Sequence, residues 1–172
     1  MQENIELQKI ENYNPKNIVY VPIGGMEFNY SPKILKTIVG SCVAIALYAS
    51  CDKFGSLAHI MLPKAHKTKS NSYKYADYAI NHMIELFHSK NYKSKDIIAK
   101  LVGGAKIYFS SQDSIIPDIG KENVLICRKL LIEKNIPIVS EEVLGIFGRT
   151  VYFDLNDGSI NIKSFDGKIL KI

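Results

Sequence analysis

The sequence predicts an α+β protein, with a run of short strands, two amphipathic helices and then strands again. Three observations carry this. Residues 43–48 and 56–62 are short runs rich in β-branched and large apolar residues, separated by the turn-rich segment 49–55, which reads as a hairpin. Residues 73–89 and 120–135 each repeat apolar residues at three- and four-residue intervals, the period of a helix with one buried face. In the last third, Asn156, Asp157 and Gly158 form a strong hairpin turn between two strand-like runs. The expected arrangement is two main helices packed on one side of mainly antiparallel sheet.

Taken in order, residues 1–17 are polar and irregular and read as a flexible arm, with one domain spanning 18–172. Residues 18–23 read as a strand, and Pro22 marks its edge or end. Gly24, Gly25 and the segment 29–32 are breakers, and 34–39 leads into the hairpin. Residues 64–72 read as a basic loop directly after the His59 strand, either a cover over the site or a mobile surface loop. In the first helix Tyr75, Ala76, Ala79, Met83, Leu86 and Phe87 give the apolar face, and His82 and His88 lie six apart, not at the spacing of a helical metal pair. Residues 97–102 read as a buried strand ended by Gly103 and Gly104. This Gly-Gly lacks the residues of a phosphate loop or dinucleotide turn and fits a close backbone approach or a positive-φ turn. In the second helix Val124, Leu125, Cys127, Leu130 and Leu131 give the apolar face. Residues 136–142, 150–155 and 159–165 read as strands, with a further turn at Asp166 and Gly167.

The bulk numbers narrow the class. A chain of 172 residues, 47% of them hydrophobic, can bury a core without metal or disulfides. No apolar run approaches the roughly 20 residues that span a bilayer, and no signal peptide is expected. Three cysteines with no CxxC and no even framework fit a reducing, cytoplasmic setting. The net charge of +5 comes from scattered lysines, with a modest cluster at Lys64, Lys67, Lys69 and Lys74. No nucleic-acid-binding motif accompanies it, so no nucleic acid partner is expected.

The chemistry lies in the hairpin. Cys42 starts its first strand and His59 lies late in its second, so antiparallel pairing brings a thiol near an imidazole. That pair is the minimum equipment of a cysteine nucleophile. Cys42 follows Gly40 and Ser41 at a strand start, where backbone N–H groups can hold an oxyanion. Cys51 and Cys127 are read as small buried apolar residues.

The stretch GSCVAIALY followed by AHIMLP resembles the chemoreceptor glutamine deamidases, the CheD family. The resemblance continues at residues 74–80, at Val102, Gly103, Gly104 and Ala105, at residues 119–124, and at Gly145 with Gly148 and Arg149. It covers roughly residues 16–162, and its most specific parts are the Gly-Ser-Cys block and the seventeen-residue Cys-to-His spacing. The resemblance implies a compact three-layer β/β/α sandwich of the kind found in cysteine-dependent deamidases. It places the family's nucleophile on Cys42 and its histidine on His59. The family's third catalytic residue is a threonine upstream of the cysteine; Thr37 is the nearest, and an offset of one residue would put Lys36 there. The implied reaction converts receptor glutamine side chains to glutamate with release of ammonia, needs no cofactor and no metal, and runs through a thioester. The implied partners are the cytoplasmic helices of methyl-accepting chemotaxis receptors, as substrate, and a CheC-type phosphatase.

In that scheme His59 takes the proton of Cys42, giving a thiolate–imidazolium pair, so the thiol is expected to be activated well below the free-cysteine pKa of about 8.5. The oxyanion is expected at the Gly40–Ser41 turn. A receptor glutamine sits on a long helix, so a docking rim is expected beside Cys42. The nominated segments are the basic loop with Lys67 and Lys69, and the Phe147 to Arg149 loop. Two other classes stay open: another cysteine hydrolase, distinguished by chain cleavage or cross-linking, and a non-catalytic binding module, distinguished by an unreactive Cys42.

Overall fold

A computed structural model describes residues 2–64, 72–107 and 118–172. Along the described residues run α1 (Gln2–Glu11), β1 (Ile18–Tyr20), β2 (Met26–Tyr30), β3 (Ile34–Val39), β4 (Val43–Ala49) and β5 (Phe54–Ile60). They are followed by α2 (Ala76–Ser89), β6 (Ile98–Gly103), α3 (Ile119–Glu133), β7 (Ile138–Val143), β8 (Arg149–Asp154), β9 (Ser159–Ser164) and β10 (Ile169–Lys171). The strands form two five-stranded sheets, ordered β1-β3-β8-β9-β10 and β2-β5-β4-β6-β7.

Side-chain alternation along β4 explains the layering. Val43, Ile45, Leu47 and Ala49 face α2 and α3, where they pack with Ile80, Met83, Phe87, Cys127 and Leu131. Ala44, Ala46 and Tyr48 face the other sheet, where they meet Leu35, Val39, Val151 and Phe153. Because successive strand residues point to opposite faces, β4 is buried on both sides and reads as a continuous apolar run. The result is the β/β/α sandwich, with α2 and α3 on one side. The central hairpin forms as expected, with Val43 opposite Ile60 and Ala44 opposite His59.

The structure differs from the sequence reading in several places. The sheets are mainly antiparallel, as expected, but each also holds a parallel pair, β1 with β3 and β6 with β7. Each parallel pair has its connection leave the sheet, through β2 in the opposite sheet and through α3, as parallel neighbours require. The breaker-rich stretch after Gly25 contains β2, which pairs with β5 from Met26 opposite Ala58 to Tyr30 opposite Phe54. Residues 73–75 precede α2 instead of opening it, because the Lys74 carbonyl accepts from Met61 and Leu62 N–H groups at 2.9 and 3.0 Å and so extends the end of β5. Leu125 lies exposed on the outer side of α3.

The N-terminal segment is not a loose arm. It forms α1, and polar groups rather than an apolar stripe hold it: Lys9 Nζ lies 3.2 Å from Asp154 Oδ2, and the Tyr13 hydroxyl donates to the same carboxylate at 3.3 Å. Asn161 Nδ2 donates to Tyr13 in turn at 2.6 Å. Asp154 and Asn161 are both buried, so this clamp ties the segment to β8 and β9.

Candidate active site

Alternation decides which side chains meet. In β3 the inward residues are Leu35, Thr37 and Val39, while Lys36 points outward and lies over the rings of Tyr20 and Tyr152 at 5.1 and 4.9 Å. In β5 the inward residues are Leu57 and His59. Cys42 continues the inward face of β4 beyond Ala44, His59's direct partner. Cys42, in the bend just before β4, thus lies on the same inner face as His59. Thr37, Cys42 and His59 gather from both sheets at one end of the interlayer space.

Thr37 is bonded directly to His59, its Oγ1 lying 2.8 Å from Nδ1. The same hydroxyl donates to the Val21 carbonyl at 3.0 Å. A carbonyl only accepts, so the single hydroxyl proton goes to Val21, and Nδ1 must donate to Thr37. This fixes the tautomer: Nδ1 carries the proton and the Nε2 lone pair is free to take one. Thr37 and His59 are 4% and 2% exposed, so water does not compete for this bond. Lys36, on the outer face, cannot take Thr37's place.

The Gly40–Cys42 turn is fixed by its carbonyls. Gly40 O accepts from Ala105 N–H and Cys42 O from Gly104 N–H, both at 2.8 Å. Ser41 O accepts from Asn123 Nδ2 at 3.1 Å. Gly103 and Gly104 have φ of +117° and +69°, and a Cβ on Gly103 would strike the Cys42 carbonyl, so both the conformation and the close approach require glycine here. The sequence-level expectation for this Gly-Gly pair is met on both counts.

Electrostatics correct one expectation. Burial pushes the Cys42 thiol up, opposed only by its own backbone N–H, and burial pushes His59 down to about 4. Both shifts favour the neutral forms, so burial works against a resting thiolate–imidazolium pair. Labelling of Cys42 by iodoacetamide should therefore be slow at neutral pH and rise only above the ordinary thiol range, so slow labelling does not mark a binding module, and receptor deamidation is the readout that separates the two; fast labelling at neutral pH would contradict a neutral pair. His59 binds its proton less tightly folded than unfolded. Its contribution to stability is full above pH 6.5 and is lost as pH falls toward about 4, by about 3 kcal/mol. Urea unfolding of wild type and His59→Gln at neutral and mildly acidic pH should show this loss only in the wild type.

The remaining nominated residues fall out differently. Arg149 is only 6% exposed and pairs with Glu142 at 3.0 Å, so it is no free rim charge; in the first position of β8 it turns inward and clamps the 144–148 loop. Phe147 stands out in that loop, with Ile107, Ile146 and Phe165 also exposed. Lys67 and Lys69 lie outside the described residues. Cys127 is buried in the core as expected, its thiol pushed far up by burial. Cys51 is exposed beside Asp52 at the hairpin turn and is not the buried apolar residue expected.

Sequence reasoning missed Asn123 and Glu142. Asn123 had a signal, a polar residue stacked one turn before Cys127 on the buried face of α3. Glu142 had none, since its partner lies across a loop.

Fold and site together give a class of arrangement: a β/β/α sandwich with a thiol, an imidazole and a hydroxyl on the faces between its sheets. Residues 61–164 match the family model described as CheD chemotactic sensory transduction. The chain is 39% identical over 148 residues to the probable chemoreceptor glutamine deamidase CheD of Clostridium botulinum strain Eklund 17B, covering 84% of this chain and 91% of the relative. It is 36% identical over 162 residues to the protein of the same name from Clostridium acetobutylicum, covering 91% and 98%. Among solved structures, a Bacillus licheniformis hypothetical protein, YfiH, shares the fold with a TM-score of 0.52 at 13% identity, covering 82% of this chain and 67% of that one. The chain belongs to the CheD family. The family-model match begins just after His59, so the Cys–His hairpin stands on the geometry above. No helix among the described residues is long and apolar enough to cross a membrane.

Proposed function

We propose that this chain is a chemoreceptor glutamine deamidase that uses Cys42, His59 and Thr37 and acts in the cytoplasm on receptor helices. The observation that carries the mechanism is the Thr37–His59 hydrogen bond, which leaves Nε2 unprotonated on the face shared with Cys42.

The steps follow from a neutral resting pair. Cys42 attacks the glutamine side-chain carbonyl carbon as its proton passes to Nε2, so the thiolate exists only as it reacts. The imidazolium that forms is stabilised by Thr37 Oγ1, which accepts from Nδ1–H. The oxyanion faces the N–H side of the Gly40–Ser41–Cys42 turn, whose carbonyls are all engaged elsewhere. One such donor is typically worth roughly 3–4 kcal/mol in the transition state. Nε2–H then protonates the leaving nitrogen, ammonia departs and a thioester remains. Water, losing its proton to neutral His59, attacks the thioester, and the Cys42 sulfur leaves and regains its proton. Every proton passes through one imidazole, and no cofactor enters.

Substrate docking is assigned to the apolar rim of Ile107, Ile146, Phe147 and Phe165. Ile107 lies over Gly40, and the Gly145 carbonyl accepts from Lys106 N–H at 2.8 Å, which ties the Phe147 loop to the nucleophile turn. Such a rim suits the apolar side of a helix, and Lys67 and Lys69 would add attraction for the acidic residues flanking receptor glutamines. A CheC-type phosphatase presenting a similar helix would compete for the same rim. The test is mass spectrometry of receptor cytoplasmic helices co-expressed with the chain. Glutamine-to-glutamate conversion supports the reading; cleaved or cross-linked helices would instead indicate another cysteine hydrolase, and unaltered helices a binding module.

A further inference from the structure

Asn123 is fully buried in α3. Its amide group spends both protons on backbone carbonyls of the site: Nδ2 donates to Ser41 O at 3.1 Å and to Met61 O at 3.0 Å. Its Oδ1 is buried with no hydrogen-bond partner among the described residues. An apolar residue at this position would avoid burying an unpaired oxygen, so the two donated bonds must outweigh that cost. The close seat of α3 on the site depends on glycine, since a Cβ on Gly120 would lie 2.6 Å from the Gly104 carbonyl.

What the two bonds do follows from peptide geometry. In a planar trans peptide, C=O and N–H point in opposite directions. Holding Ser41 O toward α3 therefore turns the Cys42 N–H the other way. That N–H lies against its own thiol and reaches no other acceptor among the described residues. The second bond, to Met61 O, grips the chain just past His59, where β5 ends. One side chain thus sets the direction of a peptide N–H at the nucleophile and fixes the spacing between the nucleophile turn and the histidine strand.

We infer that Asn123 is a positioning residue that aims the Cys42 N–H at the oxyanion formed during amide attack and holds that peptide in register with His59. The inference rests on the deamidase reading. It predicts a loss that depends on the reaction at Cys42. Attack on an amide passes through an oxyanion, whereas alkylation by iodoacetamide displaces iodide at a saturated carbon and forms none. In Asn123→Ala, and in Asn123→Leu, which keeps the volume filled, kcat for a receptor-helix peptide should fall about 10²–10³-fold with KM little changed. Alkylation of Cys42 in the same variants should stay within a few-fold of wild type.

A wild-type measurement covers the case in which neither variant folds. A receptor peptide carrying an aldehyde in place of the glutamine amide should form a hemithioacetal with Cys42, whose oxygen occupies the oxyanion position. The Cys42 amide proton resonance should then move strongly downfield. A resonance that does not move, deamidation unchanged in both variants, or deamidation and alkylation falling together would each overturn the assignment. Wild type deamidating no receptor peptide, while forming the hemithioacetal normally, would overturn the deamidase reading and this inference with it.

Discussion

Replacing Cys42 with alanine is expected to abolish receptor deamidation, lowering kcat on the order of 10⁴–10⁶-fold, as removal of a nucleophile does in other covalent hydrolases. Ammonia release from a receptor-helix peptide measures it. The other cysteines are the internal controls. Cys51 is exposed at the β4–β5 turn, on the far end of the hairpin from the site, and Cys51→Ala should leave kcat unchanged. Cys127 is buried between α3 and the sheet, so Cys127→Ala should cost about 1 kcal/mol of stability through lost packing and little activity once folded. Substantial deamidation by Cys42→Ala would remove Cys42 from the chemistry, whatever the geometry around it.

The second large effect is expected at Thr37. Thr37→Val keeps the shape of the side chain but removes the acceptor for His59 Nδ1–H and the donor to Val21 O. The imidazole then loses the bond that fixes its tautomer, and its protonated form loses its stabilising partner. A fall in kcat on the order of 10²–10⁴-fold is expected, the range set by loss of an orienting group behind a catalytic histidine. Thr37→Ser retains the hydroxyl and should recover most of the activity. Nitrogen NMR of His59 separates this role from packing: the wild type should show Nδ1 protonated, and Thr37→Val a mixture of tautomers. Equal activity in Thr37→Val would mean that another group orients the ring.

The hairpin was legible because both of its strands are local, their apolar runs and turn lying within one short stretch. That the thiol-bearing start of β4 lies beside the His59 end of β5 follows from antiparallel pairing, whereas the register that sets Ala44 opposite His59 came only with the structure. Thr37 was ambiguous against Lys36 because spacing along the chain says nothing about parity in a different sheet. In the structure the inward alternation of Leu35, Thr37 and Val39 puts Thr37, not Lys36, beside His59. The layering was legible for a similar reason, since helices with one apolar face must cover one side of a sheet buried on both.

What was not legible depends on long-range polar contacts. The α1 segment carries few apolar residues, and its anchor at Asp154 lies at the other end of the sequence. Arg149 read as a free cation until its burial against Glu142 showed it to be a clamp. The electrostatic setting of Cys42 and His59 was not legible either: a thiol beside an imidazole suggests an ion pair, whereas burial, visible only in the fold, penalises charge on both.

The central claim is that a receptor glutamine is converted through a thioester on Cys42. Hydroxylamine tests it most directly, because it intercepts a thioester and leaves a hydroxamate in place of the glutamine side-chain amide. A receptor cytoplasmic helix incubated with the wild-type chain and hydroxylamine is then mapped by mass spectrometry. The account predicts hydroxamate at the same positions that become glutamate without hydroxylamine, and neither product with Cys42→Ala. Glutamate forming at undiminished rate with no hydroxamate, or hydroxamate forming equally with Cys42→Ala, would contradict it.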